Sequence, residues 1–379
     1  MPYFDNNATT RASDDVVEAM IPFLGARFGN PSSLHARGEE AADAVRAARA
    51  QVARLLGCTS DEIVFTSGGT EANNLALHAA LTAGSSRRTI VTCTTEHSSV
   101  LETCESLENQ GLLLVRVPVD RGGRFDARAV AAELTDECAL VSLMLANNET
   151  GVVNDLGEIA RRCRELGIAF HADLVQAAGT LPLDVRSARL DLATISAHKI
   201  HGPKGVGALF VRHGFACPPL VFGGSQERRI RPGTENVPGI VGFGRAAENA
   251  RRFVLDEAAT ARVRDLRDAF EREILARVPG TRVNGDTRHR VANTTSLRFA
   301  GLEAEALLLH FSAAGLFASA GSACHAKGRR PSHVLLAMGL TQEEAAGCVR
   351  FSLSRETTRE EVAEALAVVT SATADLRGT

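Results

Sequence analysis

The sequence predicts an α/β fold, a mostly parallel sheet covered by helices and followed by a smaller α+β unit. Three observations predict it. Short apolar runs of the kind buried on both faces alternate with amphipathic helical stretches through the first 235 residues. Beyond about residue 235 the texture changes to a long helical stretch followed by shorter strands. A chain of 379 residues also exceeds what one small core accommodates.

In chain order, Ser33–Leu56 reads as a long amphipathic helix closed by Gly57 as its C-cap. Seven candidate strands follow: Ile63–Thr66, Thr89–Cys93, Leu112–Val119, Ala139–Leu145, Ile168–His171, Leu192–Ser196 and Gly207–Val211. Helical segments Thr70–Ala83, Ser98–Gln110 and Leu156–Leu166 lie between them. The later part reads as one helix over Glu248–Val278, strands at Arg282–Asn284, Thr295–Phe299 and Arg350–Ser354, and helices at Glu303–Ala314 and Arg359–Ala372.

Composition narrows the function. A net charge of −3 with dispersed Arg gives no electrostatic reason to expect direct nucleic-acid binding. No apolar run approaches the roughly 20 residues a membrane span needs. The first ten residues lack the features of a signal peptide, and eight irregularly spaced cysteines without Cys-x-x-Cys suggest reduced thiols, so a cytoplasmic location is expected.

Of 42 basic residues only Lys199, Lys204 and Lys327 are lysine. An amine can lose its proton and attack a carbonyl, which a guanidinium cannot usefully do, so Lys199 or Lys204 is a candidate Schiff-base residue. Ser67-Gly68-Gly69-Thr70-Glu71 follows a strand and opens a helix, which suits a phosphate, although the same run also serves as a plain turn and cap. It matches neither the Walker-A nor the G-x-G-x-x-G spacing. Asp173 stands just past a strand, where a carboxylate could pair with a heterocyclic nitrogen or simply cap a helix. His97 also follows a strand and suits stacking or proton transfer, or else an ordinary turn. Ser196 and His198, beside Lys199, could reach a phosphate. An amine, a carboxylate, an imidazole and a phosphate cradle at strand ends together describe a pyridoxal phosphate site. Cys324 lies in a small-residue run beside His325, Lys327, Arg329 and Arg330, a setting that favours a thiolate. Cys93, Cys138 and Cys163 read as packing thiols. A Cys–His zinc site is disfavoured, because no second ligand pair lies at finger-like spacing.

Several runs then coincide with one family. They are Asp5-Asn6-Asn7-Ala8-Thr9-Thr10, Phe28-Gly29-Asn30-Pro31-Ser32-Ser33, Phe65-Thr66-Ser67-Gly68-Gly69-Thr70-Glu71 and Thr95-Glu96-His97. Asn147-Asn148-Glu149-Thr150-Gly151, Ala197-His198-Lys199, Gly233-Thr234-Glu235-Asn236 and Val349-Arg350-Phe351-Ser352-Leu353-Ser354 complete the set. Over essentially its whole length the chain resembles the cysteine desulfurases of the class V aminotransferase superfamily, nearest the class I, nitrogenase-type and iron–sulfur branch.

The resemblance implies the pyridoxal-phosphate-dependent transferase fold of type I. It further implies a large cofactor-binding domain over residues 13–250 and a small domain of residues 1–12 and 251–379. A homodimer is expected, with two active sites at the subunit interface. Lys199 would hold the cofactor aldehyde, Asp173 its ring nitrogen and Gln176 its phenolic oxygen, with His97 stacked on the ring. Gly69, Thr70, Ser196 and His198 would cradle the phosphate, joined by Thr234 of the other subunit. Asn148 and Arg350 would receive the carboxylate of L-cysteine. Cys324 would take the sulfur as a persulfide and pass it to an acceptor protein, a cluster scaffold by default or a thiolation enzyme. Departures from the family pattern are His325, the basic run after it, and Leu174 after Asp173.

Overall fold

The structure is a computed structural model that describes residues 1–82, 86–321 and 331–378. Cys324, His325 and Lys327 lie outside the described residues.

The chain enters through helices α1 (Asp14–Leu24) and α2 (Ala36–Leu56). Gly57 ends α2 in the left-handed region at φ 70°, and its N–H bonds the Ala53 carbonyl, as the C-cap expectation required. A seven-stranded sheet is then built from β1 (Ile63–Thr66), β2 (Thr89–Cys93), β3 (Leu113–Val117), β4 (Cys138–Met144), β5 (Ala169–Asp173), β6 (Leu192–Ser196) and β7 (Gly207–Val211). Their spatial order is β1-β7-β6-β5-β4-β2-β3. Only β7 runs against the others, pairing antiparallel with both β1 and β6. Helices α3 (Gly69–Thr82), α4 (Ser98–Glu108), α5 (Ala127–Glu133) and α6 (Gly157–Leu166) connect the parallel strands.

The central strands β4, β6 and β7 are buried at every position, because helices cover both faces of the sheet. One core gathers Val45, Val52, Phe65, Val141, Phe170, Ile195 and Phe243. On the other face, Val64, Leu75, Ile90, Leu140, Leu192 and Leu209 form a second. At the sheet edge β3 is only partly buried, and it is shorter than the apolar run Leu112–Val119 suggested.

Past the sheet come α7 (Val237–Leu255), α8 (Glu257–Arg277), β8 (Thr281–Asn284), β9 (Thr294–Phe299), α9 (Ala304–Ala313), β10 (Ser319–Ala320), α10 (His333–Ala337), α11 (Gln342–Ala346), β11 (Cys348–Ser352) and α12 (Arg359–Arg377). Strands β10-β11-β9-β8 make an antiparallel sheet. Its core holds Phe270, Phe299, Phe311 and Phe351 together with Phe4 from the chain start. Phe4 reaches it through two short bonds: its N–H to the Phe317 carbonyl and its carbonyl to the Ser352 N–H, both 2.7 Å.

The single helix expected over Glu248–Val278 is instead two. Asp256 takes an extended conformation (φ −91°, ψ 96°), ends α7, and caps α8 by accepting the Ala259 N–H at 3.0 Å. An Asp side chain offers the backbone this alternative partner, and a periodicity argument does not weigh it. The strand expected at Arg350–Ser354 starts two residues earlier, at Cys348.

Candidate active site

The parallel strands deliver their C-terminal ends to one edge of the sheet, where open α/β sheets place ligands. The turn after β1 brings Gly68 and Gly69. His97 follows β2, Asn148 lies beyond β4, Asp173 ends β5, and Ser196, His198 and Lys199 close β6. A cavity of about 300 Å³ at this edge is lined by Gly69, Thr70, His97, Asn148, Asp173, Gln176, Ser196, His198, Lys199 and Arg350. All the expected site residues therefore meet except two. Thr234 lies exposed outside the cavity, and Cys324 is outside the described residues.

Asp173 is buried and receives two hydrogen bonds, from Asn73 Nδ2 (2.8 Å) and from the Val175 N–H (2.9 Å). Two donors fix the plane of the carboxylate before any ring arrives. Asn73 Nδ2 also donates to Ser99 Oγ (2.8 Å), which sits 2.8 Å from His97 Nδ1. The Ser99 N–H points at the same Nδ1 (3.1 Å), so His97 caps α4 and its Nδ1 keeps a lone pair. The ring proton is thereby assigned to Nε2. Burial holds the His97 pKa below its ordinary value; Asp173 opposes this, while Lys199 and His333 add to it.

The phosphate end is built from close backbone approach. Gly207 on β7 lies so near the turn that a Cβ there would come within 2.7–2.8 Å of Gly68 backbone atoms. Ser196 is buried, and its Oγ has no hydrogen-bond partner among the described residues. His198 Nδ1 contacts Thr9 Oγ1 at 3.2 Å. Its pKa is pushed down to about 4, by burial first and then by Lys199 and Lys204, so the ring is neutral near pH 7. A buried hydroxyl without a partner among the described residues, next to the N-terminus of α3 and a neutral imidazole, suits an anion carrying many acceptor oxygens.

The residues fit pyridoxal phosphate. The amine of Lys199, which lines the same cavity as Asp173 and Ser196, donates to the carbonyls of Asn7 and Ala8 (2.8 Å to the latter). Gln176 lines the same wall and donates through Nε2 to the Asn7 carbonyl (3.0 Å).

At the other end Arg350 is 2% exposed. Its Nη2 pairs with Asp5 Oδ1 at 2.7 Å, and Nη1 donates to the Asn148 carbonyl (3.1 Å) and more weakly to that of Gly321 (3.4 Å). The Nε has no partner among the described residues. The Glu96 carboxyl is also buried. Its Oε1 accepts the Met144 N–H at 2.6 Å, and Oε2 has no partner among the described residues. Burial raises its pKa well above the usual carboxylate range and Asp173 adds to that, while the bond from the Met144 N–H opposes them.

Sequence reasoning assigned no role to Asp5, Asn7, Asn73 or His333. Asn7 is a hub: its carbonyl accepts from Lys199 and Gln176, and its Nδ2 donates to the Asn148 carbonyl and to Thr294 Oγ1. The run Asp5–Thr10 marked this segment, but no periodicity says that a chain start will fold against residues nearly 200 positions away.

Comparison with known proteins agrees with this geometry. The family model for class-V aminotransferases matches residues 2–365. A cysteine desulfurase of Nostoc sp. is 48% identical over 367 residues, covering 97% of this chain and 91% of the relative. The cysteine desulfurase NifS of Azotobacter vinelandii is 46% identical over 376 residues, covering 99% and 93%. A solved NifS-like protein superimposes with a TM-score of 0.92 at 36% identity, covering all of both chains. A pyridoxal phosphate pocket, a full-length family match and near-half identity to such relatives converge: the chain belongs to the class-V aminotransferases and, among them, to the cysteine desulfurases.

Proposed function

We propose that this pyridoxal-phosphate-dependent cysteine desulfurase works as a homodimer that converts L-cysteine to L-alanine and carries the sulfur as a persulfide on Cys324 to an acceptor protein. Iron–sulfur cluster assembly is the destination favoured by its relatives' branch. The proposed domain division is 13–250 against 1–12 plus 251–379, supported by Phe4 packing in the core of the C-terminal sheet. The proposed location is cytoplasmic, a reading supported by eight irregularly spaced cysteines without Cys-x-x-Cys; no described helix is long and apolar enough to cross a membrane.

The observation that carries the reading is the single cavity joining the Lys199 amine, the Asp173 carboxylate and the buried Arg350 guanidinium. When bound, pyridoxal phosphate supplies an aldehyde that captures amines and a ring that withdraws electrons from the adjacent carbon. Asp173 orients that ring through its nitrogen, and Ser196, His198, Thr70 and the Gly69 backbone hold the phosphate. Thr234 adds a hydroxyl from the partner subunit. Arg350 and Asn148 take the substrate carboxylate and fix which bonds face the ring. Lys199 moves the Cα proton, while His97, with Nδ1 occupied, exchanges protons only through Nε2.

The sulfur step then balances without an outside oxidant. The Cys324 thiolate forms a bond to the substrate sulfur. The carbon–sulfur bond breaks, and its electron pair stays on carbon and takes a proton, giving alanine. Other thiols are poor candidates. Burial pushes Cys58, Cys104, Cys163 and Cys217 up to about 12, and Cys93 and Cys348 up to about 11, so all remain protonated at neutral pH.

Cys324→Ala tests the reading. The variant should keep the cofactor's visible band yet lose sulfide production from L-cysteine, and unchanged sulfide release would overturn the role of Cys324. Trapping the protein that receives sulfur from Cys324 identifies the pathway; a tRNA- or DNA-modifying acceptor would replace cluster assembly.

A further inference from the structure

We propose that Glu149 is a positioning residue that fastens both ends of the Cys324-bearing segment to the substrate-carboxylate site. The proposal rests on the reading of Cys324 as sulfur acceptor and extends it to a residue with no role in the chemistry itself.

Glu149 is 1% exposed, an expensive place for a carboxyl group. Its backbone is rigid: its own N–H and that of Thr150 both donate to Asn147 Oδ1 (2.9 and 3.0 Å), while Asn147 Nδ2 donates to the Thr95 carbonyl. The side chain meets two residues distant from it in sequence, Ser332 and Gly321. Ser332 Oγ donates to Glu149 Oε2, and the same hydroxyl accepts the Leu335 N–H at 3.2 Å, which orients it and caps α10. Gly321 packs against the same oxygen, so closely that any Cβ there would overlap Oε2. Gly321 is the last described residue before position 322, and Ser332 lies just after position 330.

The clamp is joined to the substrate end of the cavity by adjacent atoms. Arg350 Nη1 donates to the carbonyl of Asn148, the residue before Glu149, and also to the Gly321 carbonyl. His333, the residue after Ser332, donates through Nε2 to the Glu96 carbonyl at 2.9 Å, one position before His97. Both stems are thus referenced to the groups that orient substrate. The bond from Ser332 Oγ offsets part of the cost of burying the Glu149 carboxyl, and what it needs from residue 149 is an acceptor oxygen.

The test separates the cofactor's work from that of Cys324. Exchange of the Cα proton of L-alanine with deuterated solvent needs Lys199 and Arg350 but no thiol. Single-turnover persulfide formation, read by the mass of the Cys324 peptide, needs both. For Glu149→Ala the exchange rate should stay within about two-fold of the parent while persulfide formation slows about ten- to a hundred-fold, the scale of a misplaced reacting group. Glu149→Gln, which keeps an acceptor for Ser332, should recover most of the loss. In cofactor-free protein the alkylation rate of Cys324 should also differ between Glu149→Ala and parent. Equal slowing of exchange and persulfide formation overturns the proposal, because Glu149 would then serve substrate binding or folding; so does no slowing of either. If Glu149→Ala does not fold, Ser332→Ala removes the same bond from the other side and is read by the same pair of rates. A parent enzyme that makes alanine and sulfide but no Cys324 persulfide would instead sink the reading on which this rests.

Discussion

His97 illustrates how one residue's surroundings set its chemistry. Its Nδ1 is held by the cap of α4, and burial keeps its pKa below the ordinary 6.5. The ring is therefore neutral at pH 7 and charges only as pH falls, so the cysteine turnover rate should develop an acidic limb below about pH 6.5. His97→Gln should lower the plateau about 10²- to 10⁴-fold and remove that limb, as read from kcat against pH. Lys199→Ala should cost at least as much and leave the purified protein without the visible band of amine-bound cofactor.

On β5, His171 bridges Ser142 Oγ (2.8 Å) and Thr194 Oγ1 (3.1 Å). It is fully buried, and desolvation depresses its pKa from 6.5 to about 4. The unfolded chain takes up this proton below pH 6.5 while the folded chain refuses it until about 4, so stability falls as pH drops through that window. The full window is worth about 3 kcal/mol. Denaturant midpoints at pH 7 and pH 5 should therefore differ, and His171→Asn should flatten the difference.

At the scale of elements, the turn between β1 and α3 depends on what lies across from it. Gly207 leaves room for the Gly68 backbone, so Gly207→Ala must push the phosphate turn outward. Cofactor affinity should drop about ten-fold or more while the sheet stays folded, since one misplaced donor set costs on the order of a kcal/mol or more. An equilibrium titration with pyridoxal phosphate measures it. The strands at the heart of the sheet were legible in the sequence because burial on both faces leaves unbroken apolar runs, and the boundaries of β1, β2, β6 and β7 match those runs. The break at Asp256 was not legible, because either side of it alone has a helical pattern. Short elements α10 and α11 were missed for a related reason: five residues carry no period, and their ends are set by the caps of Ser332 and Thr341.

For the whole molecule, the proposed dimer makes a sharp prediction. Exposed Phe28, Leu34 and Phe222 offer apolar surface, and Thr234 is exposed outside the cavity of its own chain. If each site takes Lys199 from one subunit and Thr234 from the other, Lys199→Ala and Thr234→Ala subunits complement each other. An equimolar exchange of the two variants should restore about one fully parental site in four. Cofactor occupancy at limiting pyridoxal phosphate reads this out, and no recovery would argue against a shared site.

The sequence by itself determined the sheet and the family, and it narrowed the candidate amine to a short run of the chain. Rare lysine marked the run holding Lys199 and Lys204, glycine pairs marked a turn able to approach an anion, and contiguous motifs persist because local chemistry needs neighbouring residues. Only the tertiary structure decided which distant groups act together. Asn7 lies beneath Lys199, Asp5 on Arg350 and Asn73 behind Asp173. Such partnerships are made by packing between remote segments, where a hydrogen bond is specified by position in space and leaves no period or spacing along the chain.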